Sequence, residues 1–140
     1  MTEPVAFHRV TSGGRRGRDR WGSGSFGASR GGRSHKGVDF VVAPGESVLS
    51  PIDGVVVRQL YPYGDDLRFT GLEIHGSGDW AAYRVKLFYV RKVKLGKVKA
   101  GDPVGVAQDL EIKYRGMTNH IHVEVRRNGT VVDPSKLFSF

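Results

Sequence analysis

The sequence predicts an all-β protein whose antiparallel sheets form an open sandwich or barrel-like core. From residue 38 onward, short runs rich in β-branched residues alternate with turn residues. No segment shows a sustained apolar period of 3.6 residues, which an amphipathic helix would require. The chain has 140 residues, of which 39% are hydrophobic, and this is enough for one core. Its 20 glycines indicate many turns.

The β-branched runs predict eight strands in chain order. The candidates are residues 38–43, 47–49, 54–60, 71–75, 82–91, 104–107, 119–127 and 130–132. Asn128-Gly129 is typical of a two-residue hairpin between the last two strands. Asp133-Pro134 then predicts a short helical turn over residues 134–137. Many short antiparallel strands favour two orthogonally packed sheets.

The first part of the chain is basic and poor in apolar residues. Residues 1–36 carry eight basic and two acidic side chains, whereas residues 37–140 carry 14 and 12. Because Gly, Arg and Ser dominate residues 13–32, this stretch cannot form a core alone. We therefore predict a basic leader over residues 1–21 and a β domain over residues 22–140. The leader either drapes over the domain or, as an Arg-Gly tract, binds RNA or single-stranded DNA.

Composition excludes several classes of site. The chain has no Cys, so disulfides, thiolate metal sites and cysteine nucleophiles are ruled out, and any metal must be held by His and carboxylates. No apolar run approaches the roughly 20 residues that a membrane helix needs. Concentrated positive charge favours a polyanionic partner, whether nucleic acid, acidic lipid or an anionic wall polymer.

Histidines and one carboxylate occur in two short motifs. HKGVD contains His35 and Asp39, and HIH contains His120 and His122. Two residues apart in a strand, His120 and His122 leave the same face. His35 and Asp39 would be about 13 Å apart in an extended chain, but Gly37 permits a bend between them. The motifs are either unrelated surface histidines and a turn hydrogen bond, or one metal site, for which zinc is the natural occupant.

A set of segments resembles, in the same order, the lysostaphin-type zinc endopeptidases of peptidoglycan. The segments are GSFG at 24–27, RSHKGVDF at 33–40, APGESV at 43–48, PIDGVV at 51–56, VKAGDPVG at 98–105, HIHVEV at 120–125, NG at 128–129 and VDP at 132–134. The resemblance covers residues 22–138. It implies an antiparallel β core with a groove across a large sheet, one zinc ion at the groove floor, and hydrolysis of peptide cross-links in the bacterial cell wall.

The same resemblance implies roles for individual residues. His35, Asp39 and His122 would be the ligands of one zinc ion, and His120 would be a catalytic neighbour. Active members carry a second catalytic His in a Tyr-x-His-Leu pattern, whereas residues 85–90 here read VKLFYV and place Tyr89 there. A phenol near pH 7 is no base, but it can donate a hydrogen bond to an oxyanion. We therefore predict His120 and Tyr89 as the catalytic pair.

The substituted strand also supports an alternative. Residues 85–90 are similar to the matching strand of the leukocyte-derived chemotaxin, which implies a catalytically inactive zinc-binding module that binds cell wall or a protein partner. The hydrolase is the favoured hypothesis, and its expected partner is peptidoglycan. Nucleic acid is not expected to be a partner. His75, in a hairpin, and His8, in the leader, are interpreted as surface residues.

No secretory signal is visible at the start of the sequence. We nevertheless expect action outside the cytoplasm, in the cell wall or periplasm. Delivery would then depend on lysis, a phage tail, an injection device or a secretion apparatus, unless the sequence is a trimmed mature form.

Overall fold

A computed structural model describes residues 6–14, 16–19, 22–23, 27 and 36–138, and of residues 18–19 and 22–23 it describes the backbone only. In these ranges the strands, numbered along the chain, are β1 (Arg18–Asp19), β2 (Gly22–Ser23), β3 (Val38–Val41), β4 (Ser47–Leu49), β5 (Gly54–Leu60), β6 (Gly71–Gly76), β7 (Tyr83–Phe88), β8 (Val90–Arg91), β9 (Gly96–Val98), β10 (Pro103–Ala107), β11 (His120–Arg127) and β12 (Thr130–Val132). The predicted all-β fold is confirmed.

Two antiparallel sheets form the body of the domain. The larger has seven strands in the order β12-β11-β7-β6-β5-β9, with β3 also paired to β11. The smaller has the order β4-β10-β8, and β1 pairs with β2 separately. Strand β11 pairs with β7 along one edge, and along the other it pairs first with β3 and then with β12. The hairpin at Asn128-Gly129 therefore forms as predicted, and β11 joins the start and the end of the domain.

Apolar side chains from both sheets and from the leader make one core. Phe7 and Val10 of the leader are buried in it. The Phe7 ring contacts Trp80, Tyr83 and Phe138 edge to face, at centroid distances of 5.1, 5.4 and 5.4 Å. Such contacts add about 0.5–1.5 kcal/mol beyond burial. This part of the leader therefore packs on the β domain, while the division at residue 21 stays a prediction.

Tyr89 divides what the sequence predicts as one strand. Residues 82–91 form β7 in the larger sheet and β8 in the smaller one. Between them, Tyr89 has a φ of 70°, in the left-handed region that bulky residues rarely adopt. The single-strand prediction is therefore wrong at this point, because the backbone turns from one sheet to the other at Tyr89.

Short elements account for the other differences. Strand β9 lacks a β-branched run and was not predicted, nor were the 3-10 turns Gly78–Trp80 and Leu110–Ile112. The predicted turn after Asp133-Pro134 is confirmed as a 3-10 turn over Pro134–Lys136, capped by the Asp133 side chain. Within the described residues, no helix has both the length and the apolar character needed to span a membrane.

The backbone before β3 lies directly against β11. A Cβ on Gly37 would stand 2.1 Å from the Val123 carbonyl oxygen and 3.0 Å from His122 Cε1. No side chain fits in that gap, so glycine is required where the chain enters β3. The close approach places residues 36–39 of the HKGVD motif beside the HIH motif of β11.

Candidate active site

Asp39 and His122 face each other across two neighbouring strands. Strands β3 and β11 are antiparallel, and their register places His122 opposite Asp39. Side chains alternate along both strands, so one set enters the core and the other faces the open side of the sheet. The core set is Val38, Phe40, Ile121 and Val123, and the open-side set is Asp39, His120 and His122. The predicted common face of the two histidines is therefore observed.

The two oxygens of Asp39 have different partners. Oδ1 lies 2.9 Å from Nδ1 of His122. Oδ2 accepts a hydrogen bond from Nη1 of Arg16 at 2.9 Å and lies 3.4 Å from Nε2 of His120. Arg16 and Asp39 are both almost fully buried, with side-chain exposures of 2% and 3%. Because Arg16 occupies one oxygen, the other is directed to His122.

His122 is held between two carboxylates. Its Nδ1 meets Asp39, and its Nε2 lies 3.2 Å from Oε2 of Glu124. Burial alone would lower the pKa of His122, but hydrogen bonds to Asp39 and Glu124 outweigh burial and raise that pKa to about 9. The same contact with His122 lowers the pKa of Glu124. The imidazole ring is thus fixed at both nitrogens.

This arrangement fits two ligands of one zinc ion. Tetrahedral ligands about 2.0–2.1 Å from zinc lie about 3.3 Å from each other, close to the observed separation of Asp39 Oδ1 and His122 Nδ1. Glu124 then matches the carboxylate that commonly accepts the second N–H of a metal-binding His. The predicted ligand His35 lies outside the described residues. Among those described, no group of three or more His, Cys, Asp or Glu side chains is arranged to hold a metal ion.

His120 is a buried, neutral imidazole beside the same carboxylate. Its Nδ1 donates to the Thr118 carbonyl at 2.8 Å, which leaves Nε2 as the nitrogen that accepts a proton. Burial lowers the pKa of His120, although the Asp39 charge opposes this effect. The ring is therefore neutral near pH 7, as a general base must be.

Tyr89 belongs to a chain of three phenols. Its ring stands edge-on to His120, with centroids 5.5 Å apart. Its hydroxyl lies 2.8 Å from that of Tyr63, which in turn accepts a hydrogen bond from Tyr114 at 2.6 Å. Burial raises the pKa of Tyr63 and of Tyr114 above the ordinary value of a phenol. These two hydroxyls therefore stay protonated at neutral pH and act as hydrogen-bond donors.

Two loops carry the outer phenols, and Gln108 ties them together. Tyr63 comes from the loop before β6, and Tyr114 from the loop before β11. The buried amide of Gln108 accepts from the Thr70 backbone N–H at 2.9 Å and donates to the Arg68 carbonyl at 2.7 Å. The loops thus form one fixed wall beside His120.

The remaining histidines lie elsewhere. His75 is on the open side of the larger sheet, hydrogen-bonded to Glu73. His8 is exposed, and its Nδ1 contacts the Arg9 carbonyl at 2.7 Å. Neither joins Asp39, as expected for surface residues.

The segment that holds these residues has counterparts among known proteins. Residues 33–134 match the model of peptidase family M23. The chain belongs to peptidase family M23. Membership supports a peptidase-type function of the metallopeptidase kind.

Curated relatives of this M23 chain include both peptidase-like and chemotaxin proteins. Leukocyte cell-derived chemotaxin-2 from Mus musculus is 34% identical over 108 residues, covering 76% of this chain and 69% of the mouse protein. An uncharacterized metalloprotease from Haemophilus influenzae is 34% identical over 105 residues, covering 73% of this chain but only 20% of that protein. The chain therefore spans a small part of the bacterial relative.

Solved structures show the same fold. A zinc-containing peptidase from Vibrio cholerae has a TM-score of 0.58 at 25% identity, with 94% of this chain and 38% of that chain covered. The catalytic domain of lysostaphin from Staphylococcus simulans has a TM-score of 0.57 at 20% identity, with 96% and 90% covered. The predicted lysostaphin-type fold is confirmed.

Sequence reasoning missed four residues of this M23 site. Glu124 could have been found, because it lies two positions after His122 and so shares its face. Arg16, Tyr63 and Tyr114 reach the site from distant segments with no local motif. Only the tertiary fold shows that they contact it.

The buried ion pair between Arg16 and Asp39 should contribute strongly to stability. Replacing Arg16 by Met should lower the free energy of unfolding by about 3 kcal/mol, because it removes the buried cation that pairs with Oδ2 of Asp39. Denaturant unfolding measures the change. The control is Arg68→Met, whose ion pair with Asp66 is as short, at 2.8 Å, but whose side chain is 62% exposed, so that a much smaller loss is expected. Equal losses in both variants would contradict the role given to Arg16.

Proposed function

We propose that this M23 protein is a zinc-dependent endopeptidase that hydrolyses peptide cross-links of bacterial peptidoglycan. The observation that carries the proposal is the Asp39 carboxylate, one oxygen of which faces His122 while the other faces Arg16 and lies near His120. The buried Asp39 carboxylate is thus paired with a second candidate ligand, His122, and lies near a neutral candidate base, His120. Family membership and the zinc-containing neighbour from Vibrio cholerae add support for zinc.

Three residues would hold the metal and one would handle the proton. Zinc held by His35, Asp39 and His122 would polarise the scissile carbonyl and lower the pKa of a nearby water molecule from about 15.7 towards 7. His120 accepts a proton at Nε2 and can return it to the departing amine. Glu124 keeps His122 in the orientation that directs Nδ1 towards Asp39.

Tyr89 would supply the hydrogen bond that the replaced His supplies in related enzymes. Tyr114 donates to Tyr63, and the hydroxyls of Tyr63 and Tyr89 share a hydrogen bond that holds the Tyr89 phenol in place. In the proposed scheme Tyr63 is the donor of that bond, and Tyr89 directs its own proton to the oxyanion. A donor that is fixed before the reaction stabilises developing negative charge without reorganising. Tyr63 and Tyr114 are positioning residues in this scheme.

The substrate and the place of action are part of the same proposal. The lysostaphin catalytic domain supplies the fold comparison, and the net charge of +8 suits an anionic wall polymer. We propose action in the cell wall or periplasm. Release by lysis or through a phage tail, an injection device or a secretion apparatus is the proposed route.

Cleavage of a cross-linked stem peptide tests the proposed reaction. Zinc-loaded protein should release two peptide fragments, detected by mass spectrometry. His120→Ala should lower kcat by about 10² to 10⁴, because it removes the general base. His8→Ala removes an exposed histidine remote from Asp39 and should leave the rate unchanged. No cleavage above that of an Asp39→Ala variant, on this peptide and on isolated wall material, would reject the hydrolase.

A second candidate function is a non-catalytic zinc module that binds cell wall or a protein partner through the same groove. Two observations favour it. The resemblance implies that Tyr89 takes the place of a catalytic His of active members, and the chain is 34% identical to the mouse chemotaxin over 108 residues. Turnover by the unaltered protein that depends on His120 would rule this candidate out.

Variants of Tyr89 and Tyr63 separate the two candidates. In an enzyme, Tyr89→Phe should lower kcat by about 10² to 10³, as expected when one oxyanion donor is lost. Tyr63→Phe should lower kcat less, since Tyr89 keeps its hydroxyl. A binding module has no turnover that either variant could lose. If the Tyr89→His variant of such a module gained activity, the unaltered site would lack only its second base. Unchanged kcat in Tyr89→Phe would contradict the catalytic role of the phenol.

A further inference from the structure

The open side of the larger sheet continues beyond the candidate metal ligands as three rows of cross-strand neighbours. They run across β11, β7 and β6. The rows are His122, Phe88 and Gly71; then Glu124, Lys86 and Glu73; then Arg126, Arg84 and His75. The first row offers an apolar surface beside the site, and the other two carry charge.

The middle row is balanced in charge once Arg58, which pairs with Glu73, is counted with it. Lys86 lies between Glu124 and Glu73, one on each neighbouring strand. Glu73 is also held by Arg58 at 2.9 Å and by His75. Opposite charges alternate along this row, which stabilises the sheet by itself. The middle row therefore needs no ligand.

The third row is not balanced. Arg126 and Arg84 stand directly opposite each other on the same face. Like charges at such a position are destabilising. Neither guanidinium has an acidic side chain of the described residues within ion-pair distance, and Arg126 donates only to the Gly129 carbonyl, at 3.3 Å. Both line a pocket with Arg58, Lys86 and the two glutamates of the middle row. An anion at this point would relieve the repulsion.

We propose that Arg84 and Arg126 bind a free carboxylate of the peptide that occupies the groove. The inference rests on the proposed function for the identity of that peptide as a wall stem peptide. Two guanidinium groups on adjacent strands can each donate to one carboxylate, in the geometry that arginine favours. Arg126 follows His122 by four residues, about 13 Å along the strand, which an extended peptide of about four residues spans.

The neighbouring residues favour a single carboxylate over a polyanion. Glu73 and Glu124 border the arginine pair, so a nucleic acid or an anionic lipid surface would also meet negative charge. A peptide with one carboxylate places no second anion beside these glutamates, and the rest of it can extend over Lys86 towards Phe88 and His122. The pocket thus selects stem peptides whose carboxylate is free over those in which it is amidated.

Two labelled four-residue peptides, identical except for a free or an amidated C-terminal carboxylate, test this selection. Fluorescence anisotropy with the full chain should give a Kd lower by about 10-fold to 100-fold for the free carboxylate, the range expected for hydrogen bonds to a charged group. Arg84→Gln/Arg126→Gln should bring the ratio towards one. The control, Arg91→Gln/Lys94→Gln, removes two exposed positive charges in and shortly after β8 of the smaller sheet. It should keep the preference for the free carboxylate.

Equal Kd values for the two peptides on the unaltered protein would overturn the inference, whatever the variants do. So would an equal loss of preference in the control. The arginine variant should unfold at or above the melting temperature of the unaltered protein, because it removes a repulsion. Binding requires no turnover, so a preference without cleavage would leave this inference standing and reject the hydrolase. Cleavage without a preference for the free carboxylate would reject this inference and leave the hydrolase proposal standing.

Discussion

The Asp39 carboxylate is the group on which the arrangement of the site depends. It is buried, so both oxygens need partners, and an unpaired charge there would be costly. Arg16 satisfies one oxygen and His122 meets the other. The division leaves Oδ1 as the oxygen that would reach the proposed metal ion, whereas Oδ2 lies 3.4 Å from Nε2 of His120. One anion therefore positions Arg16, His122 and His120.

Strand alternation separates stability from chemistry in this M23 domain. Along β11, Ile121, Val123 and Val125 enter the core, and the residues between them face the groove. The groove side can thus carry His122, Glu124 and Arg126 without disturbing the packing beneath. Tyr89 is the exception, because its left-handed backbone lies at the corner between the sheets. That corner places its hydroxyl beside the loops that carry Tyr63 and Tyr114.

Features that depend on local pattern are predictable from the sequence. Runs of β-branched residues identified most of the strands, alternation identified the common face of His120 and His122, and Asn128-Gly129 identified the hairpin. Pattern could not locate the break at Tyr89, since β-branched residues continue on both sides of it. Nor could it find Arg16 or the Tyr63 and Tyr114 pair, because their contacts join segments that are far apart in the chain. His35, predicted as a ligand from its motif, keeps that role as a prediction.

Zinc content measures the central claim most directly. Protein purified without added metal, analysed for elements, should contain about one zinc ion per chain, as a site of three protein ligands implies. Asp39→Asn should lose most of it, because the neutral amide is a weaker ligand and no longer attracts the cation, whereas His75→Asn should retain it. An absence of zinc from the unaltered protein even after incubation with zinc salts, or equal zinc in the Asp39→Asn variant, would contradict the account.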